Sequence, residues 1–145
     1  MAAMRILGVD CGSRATGYGI VDVRRSEYRF VNCGTIRTNA REPLPQRLGS
    51  IHQALSEIIR QHSPDVAAFE SIFHAQNAQS ALKLGHVRGV SMLTAVETSL
   101  PVYEYTPLQV KSAVTGYGRA DKSQVQQMVC AAASAEQGPG VIRRF

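Results

Sequence analysis

The sequence predicts an α/β fold, a mixed five-stranded sheet flanked by helices, and three observations carry that prediction. Three short apolar runs follow one another near the amino end, Ile6 to Val9, Gly17 to Val23 and Tyr28 to Arg37, parted only by the turn-like "GSRATG" and "RRSE". Two more, "VAAFE" and "LPVYEY", come later and alternate with stretches of helical period. The chain has 145 residues, 44% of them hydrophobic, which is enough for one buried core, so residues 1–145 read as one domain.

Taken in order, the first three runs form a meander, because breaks this short join antiparallel neighbours. After "REPLPQ", the positions Leu48, Ile51, Leu55, Ile58 and Ile59 recur at helical spacing until "HSPD" ends the pattern. That helix covers one sheet face. "VAAFE" is the fourth strand, and Asn77 to Ser99 a second helix interrupted by Gly85 and Gly89. A helical glycine costs about 1 kcal/mol relative to alanine, so close approach of another backbone is expected there. Packing within the fold is the default, and a dimer partner the alternative. "LPVYEY" is the fifth strand, and "TPLQVKSAV" opens a helix with Thr106 as cap and Pro107 at its first position. "GYGRADKSQVQQMVCAAASAEQ" then reads as a glycine-bearing loop and a helix, and the chain contains no internal repeat, low-complexity tract or linker.

Sixteen Lys and Arg against eleven Asp and Glu give a net charge of +5, which suits a polyanionic partner and equally an ordinary basic surface. The three cysteines, Cys11, Cys33 and Cys130, lack CxxC or Cys/His spacing, so reduced thiols in a cytoplasmic protein are expected rather than disulfides or a zinc site. No apolar run reaches the roughly 20 residues of a membrane span, and the amino end lacks a signal-peptide pattern. The expectation is no membrane association.

"LGVD" and "VAAFE" share one form, an apolar strand closed by a carboxylate. If these strands are parallel neighbours, Asp10 and Glu70 emerge together at the carboxyl edge of the sheet, where open α/β sheets place ligands. Two adjacent carboxylates repel unless one is protonated or a cation lies between them, and a hard divalent ion such as Mg²⁺ resolves the conflict. Singly, Asp10 reads as a turn residue before glycine and Glu70 as a solvated strand end. The repeated form favours a metal site able to support phosphodiester cleavage. "DCGSRATGYG" has another functional reading, a backbone cradle for the phosphates of ATP as in actin-like proteins, but those need a second domain for which this chain lacks room.

Three blocks, "GVDCGSRATGYGIV", "FESIFHAQNAQSALKLGHVRGV" and "YEYTPLQVKSAVTGYGRADKSQVQQMV", resemble in order and register the RuvC family of bacterial Holliday junction resolvases, from about Met4 to about Val129. The resemblance implies an RNase H-like fold, a homodimer, and Mg²⁺-dependent nicking of two opposed strands at a four-way DNA junction by two ions. It also implies cooperation with the RuvA–RuvB branch-migration complex. Carried over by position, Asp10 and Glu70 match catalytic metal-binding acids, and Phe73 matches an aromatic residue that reaches bases near the junction centre. Lys111 and Lys122 match lysines that hold phosphate near the site. Their bland alternatives are a core phenylalanine and two solvated lysines. The family packs its dimer around Asn77 to Val90, where Ala78, Ala81, Gly85 and Gly89 suit close contact and Lys83 and Arg88 read equally as solvent-facing. His52, His62, His74 and His86 show no shared ligand spacing.

Two departures stand out. Cys11 takes the place of a usual proline and reads as a small buried filler. From about residue 131 the family pattern of a Leu- and Arg-rich helix, followed by an Asp-x-x-Asp or Asp-x-x-His pair, gives way to "CAAASAEQGPGVIRRF". After Asp121 the sequence holds one acid, Glu136, so the third and fourth expected ligands are not in it. Alanine codons, GCN, read one nucleotide later become CNG, which encodes Leu, Pro, Gln or Arg. A shift of reading frame near Cys130–Ala131 is therefore one expectation, and a shortened homologue the other. Either way the second ion's site is incomplete, and a junction binder with impaired cleavage is the alternative to an active nuclease.

Overall fold

The computed structural model of the chain describes residues 2–25, 27–71, 76–106 and 108–109. Strands β1 (Met4–Asp10), β2 (Ala15–Arg24) and β3 (Glu27–Arg37) form the antiparallel meander. Strand β4 (Val66–Glu70) joins parallel to β1, and β5 (Val102–Tyr105) parallel to β4. The order β3-β2-β1-β4-β5 is that of an RNase H-like sheet, with helix α1 (Leu44–His62) crossing from β3 to β4 and α2 (Ala78–Glu97) from β4 to β5. Several strands outrun their apolar cores by a residue or two, because backbone pairing continues past the last buried side chain.

Alternation sorts the strand residues into two faces. Leu7 and Val9 on β1 and Ala67 and Phe69 on β4 are buried, and they meet Ile51 and Leu55 of α1 and Val87 of α2 in one cluster. The residues between them in sequence, Gly8, Asp10, Ala68 and Glu70, therefore point to the opposite face.

Helix α1 begins at Leu44, inside the stretch expected to be a break. Prolines suit the first turn, where a helix needs no N–H, and Pro43 is the cap residue with Pro45 just inside. The helix ends where Ser63 turns left-handed at φ 47° and its N–H donates to the Ile59 carbonyl at 2.8 Å. For α2, Asn77 is extended and its side chain accepts from the Ser80 N–H at 2.9 Å. Past β5, Thr106 Oγ1 accepts from the Gln109 N–H at 3.1 Å while Gln109 Oε1 accepts from the Thr106 N–H at 2.8 Å. This reciprocal capping box is the helix start that Thr106 announced. Pro107 and residues 110–145 lie outside the described residues, so the rest of that helix and the one after it do too.

One ion pair ties the edge remote from the acids. Arg5 Nε and Nη2 fork onto the two Asp22 oxygens at 2.7 and 3.0 Å, while Nη1 donates to the His62 carbonyl at 2.7 Å. The bond to Arg5 holds the Asp22 carboxyl below its ordinary range. Its stabilisation is thus complete above the unfolded carboxylate value near pH 4 and is lost as pH falls through the lower folded value. Asp22→Asn is expected to lower the thermal midpoint at pH 7, with the gap to wild type closing below about pH 4. Unfolding scans across pH 2.5–7, a range set by about one and a half units on the acid side of that value, check it.

Candidate metal centre

The register β1↔β4 runs from Ile6↔Val66 to Val9↔Phe69, so the next residue on each strand places Asp10 beside Glu70. Neighbouring strands lie about 4.8 Å apart, and residues in register share a face. The two acids thus come together at the carboxyl ends of two parallel strands, as the repeated strand-then-acid form requires. Asp10 is exposed and Glu70 half-buried. On its other flank Asp10 pairs with Gly17, which leaves that side of the carboxylate without a side chain.

The loop after Asp10 is rigidly held. A Cβ on Gly12 would lie 2.2 Å from the Ala15 carbonyl oxygen, so only glycine fits this turn. The buried Thr16 hydroxyl donates to the Gly12 carbonyl at 3.3 Å. Arg47, buried on α1, donates from Nε to Thr38 Oγ1 at 3.2 Å and from Nη2 to the Ser13 carbonyl. Cys11 is half-buried against the core, and burial pushes its thiol pKa up while Ser91 and Arg88 pull it down. That fits a filler and not a reactive thiolate.

Around Glu70, β5 supplies the second wall. Glu70 pairs with Tyr105, and the Ser71 N–H continues the ladder to the Tyr105 carbonyl at 2.6 Å. From α2, Arg88 Nε donates to the Glu70 carbonyl at 3.3 Å and Nη2 pairs with Glu104 of β5. The Arg88 side chain is only 16% exposed, so the solvent-facing alternative left open for it does not hold, whereas Lys83 is exposed. A Cβ on Gly85 or Gly89 meets no described atom within 4 Å, so no described residue packs closely against either glycine. Both lie in an open apolar groove with Ala81, Leu82 and Leu93.

Phe73, Lys111 and Lys122 lie outside the described residues, as do His74, Asp121, Cys130 and Glu136. The other histidines have separate partners: His52 contacts Thr94 Oγ1 at 2.9 Å, His62 the Asn32 amide at 3.0 Å and His86 the Leu82 carbonyl at 2.6 Å. Among the described residues no group of three or more His, Cys, Asp or Glu side chains converges on one point. Sequence reasoning missed Arg47, Thr16 and Ser91. Only Arg47 left a trace, four residues before Ile51 on the stripe Ile51–Leu55–Ile59.

The family model for crossover junction endodeoxyribonuclease RuvC matches residues 6–140. The chain belongs to the RuvC family. It is 50% identical to the crossover junction endodeoxyribonuclease RuvC of Koribacter versatilis, over 94% of this chain and 82% of that protein. With the same enzyme of Citrifermentans bemidjiense it shares 53% identity, over 87% of this chain and 77% of the other. Among solved structures it superposes on T. thermophilus RuvC in complex with Holliday junction substrate with a TM-score of 0.85 and 32% identity, covering 95% of this chain and 84% of that one. The yeast mitochondrial Holliday junction resolvase Ydc2, at 14% identity and TM-score 0.61, shares the fold. RuvC proteins are metal-dependent nucleases, and the actin-like ATP-binding alternative is not favoured.

Asp10 and Glu70 fit such a metal. They are hard oxygen donors, and Mg²⁺ is commonly held by one or two carboxylates with waters completing its shell. Among the described residues no helix is long and apolar enough to cross a membrane.

Proposed function

We propose that this chain recognises four-way DNA junctions and belongs to the machinery that resolves them by nicking opposed strands, in recombination and repair. The observation that carries this reading is the pairing of Asp10 with Glu70 at adjacent parallel strand ends in a RuvC-family chain. A relative of the same fold, T. thermophilus RuvC, is known in complex with Holliday junction substrate.

In this reading Asp10 and Glu70 hold Mg²⁺, which supplies Lewis-acid assistance to phosphodiester hydrolysis. Lys111 and Lys122 hold phosphate as point charges, and Phe73 stacks on a base near the junction centre, a contact worth about 1–3 kcal/mol. The net charge of +5 supports a polyanionic partner. Two chains pair through the open face of α2 around Gly85 and Gly89, giving two acid pairs related by a two-fold axis, one for each strand to be cut. RuvA–RuvB is the partner complex, and the bacterial cytoplasm, where the DNA is, the compartment. Within these 145 residues Asp10 and Glu70 are the matched acids, and the reading is that of a junction-resolving endonuclease.

The test is a mobility-shift titration of the polypeptide against a synthetic four-way junction and a linear duplex of the same length. The junction is expected to bind at least about tenfold tighter, or 1.4 kcal/mol, in EDTA at a fixed salt concentration. Equal affinity for the two DNAs removes the junction reading.

A further inference from the structure

We propose that Arg88 is a positioning residue for Glu70, braced on Glu104, so that helix α2 sets the geometry of the acid pair. The inference rests on the reading of Glu70 as a metal ligand. Strand β4 ends at Glu70, and the bond from the Ser71 N–H to the Tyr105 carbonyl is the last described rung of the ladder with β5. The end of a strand is where a backbone is most free to twist, and the direction of the Glu70 carboxylate follows its backbone. Arg88 closes that freedom from the side. Its Nε donates to the Glu70 carbonyl at 3.3 Å, and its Nη2 pairs with Glu104, which lies opposite Phe69 on β5.

Guanidinium is planar and rigid, so one side chain fixes two acceptors relative to each other, which a lysine cannot do. The Arg88 side chain is 16% exposed, and Glu104, at 52%, is the wetter partner that holds the fork in place. The same stretch of α2 also reaches the other strand. Ser91, one turn on, is fully buried, donates to the Val87 carbonyl at 2.8 Å, and contacts Cys11, the residue that follows Asp10. One turn of α2 therefore bonds the Glu70 carbonyl and reaches the side chain that follows Asp10. A displacement of about 1 Å in a catalytic group can cost on the order of a hundredfold, so a brace at this point governs metal affinity more than stability.

The experiment uses the 145-residue chain without DNA and reads Mn²⁺ binding by electron paramagnetic resonance, with circular dichroism as a check of the fold. Arg88→Ala is expected to raise the half-saturating Mn²⁺ concentration at least about fivefold, Glu104→Gln about twofold, and Arg88→Lys to recover only part of the loss. Glu70→Gln is the reference for the ligand itself. If Glu70→Gln weakens Mn²⁺ binding while Arg88→Ala and Glu104→Gln leave it unchanged, the brace is wrong and the metal reading stands. Should Glu70→Gln itself bind Mn²⁺ like wild type, the metal reading fails first. Glu104→Gln, a change at a half-exposed position, decides the matter if Arg88→Ala does not fold.

Discussion

The 145-residue polypeptide is expected to bind a synthetic four-way junction with an affinity near that of T. thermophilus RuvC, yet to cut it roughly 10² to 10³ times more slowly in Mg²⁺. In the proposed reading, binding rests on charge and on the groups at Phe73, Lys111 and Lys122, all within the part of the sequence that resembles the family. Cleavage makes a stricter demand. Charge builds on both the attacking and the leaving oxygen of an in-line displacement, and two ions about 3.5–4 Å apart stabilise both ends. Asp10 and Glu70 supply two carboxylates, and the sequence after Asp121 adds only Glu136. In the proposed reading a first ion held by two acids and water is weakly bound, and among the described residues no third carboxylate joins them to hold a second. Single-turnover cleavage of an end-labelled junction measures the rate, and a mobility shift in EDTA measures the binding. A cleavage rate within tenfold of the Thermus enzyme means that other groups, Glu136 among them, complete the site.

Much of that site was legible in the sequence because strands advertise themselves locally. Alternation and apolar runs place Leu7, Val9, Ala67 and Phe69 without any knowledge of the partner strand, and each acid then falls one residue beyond a buried side chain. Arg88 was not legible for the opposite reason. Its partner Glu104 is 16 residues away on another element, and nothing in a helical pattern says which charge turns inward. Arg47 shows the same limit: it occupies an apolar stripe position, its aliphatic stem packs like a leucine, and its head is satisfied by Ser13 and Thr38, residues of two different loops. Gly85 and Gly89 suggested a close approach that no described residue makes, because propensity says that a small residue is present and not what, if anything, lies against it.

That ambiguity gives a test in which the sign of the effect separates the possibilities. A Cβ on Gly85 meets nothing among the described residues, so in a lone chain Gly85→Ala is expected to stabilise α2 by about 1 kcal/mol through helix propensity alone. In a dimer packed through this groove, the same methyl group enters the space where the second helix comes closest, and Gly85→Leu, with three more carbons, closes it. Leu82, 66% exposed on the same face, is the apolar area such a contact buries. Gly85→Leu is therefore expected to convert a dimer to monomers in sedimentation velocity at micromolar concentration, with the thermal midpoint of the monomeric form unchanged or raised. Leu82→Asp is expected to have the same effect on assembly through a buried charge, a cost of several kcal/mol in a dry interface. If both variants remain dimeric, the chains pair through another surface. If the wild-type chain is itself monomeric and Gly85→Ala only raises its thermal midpoint, the groove is an uncovered face of a lone chain.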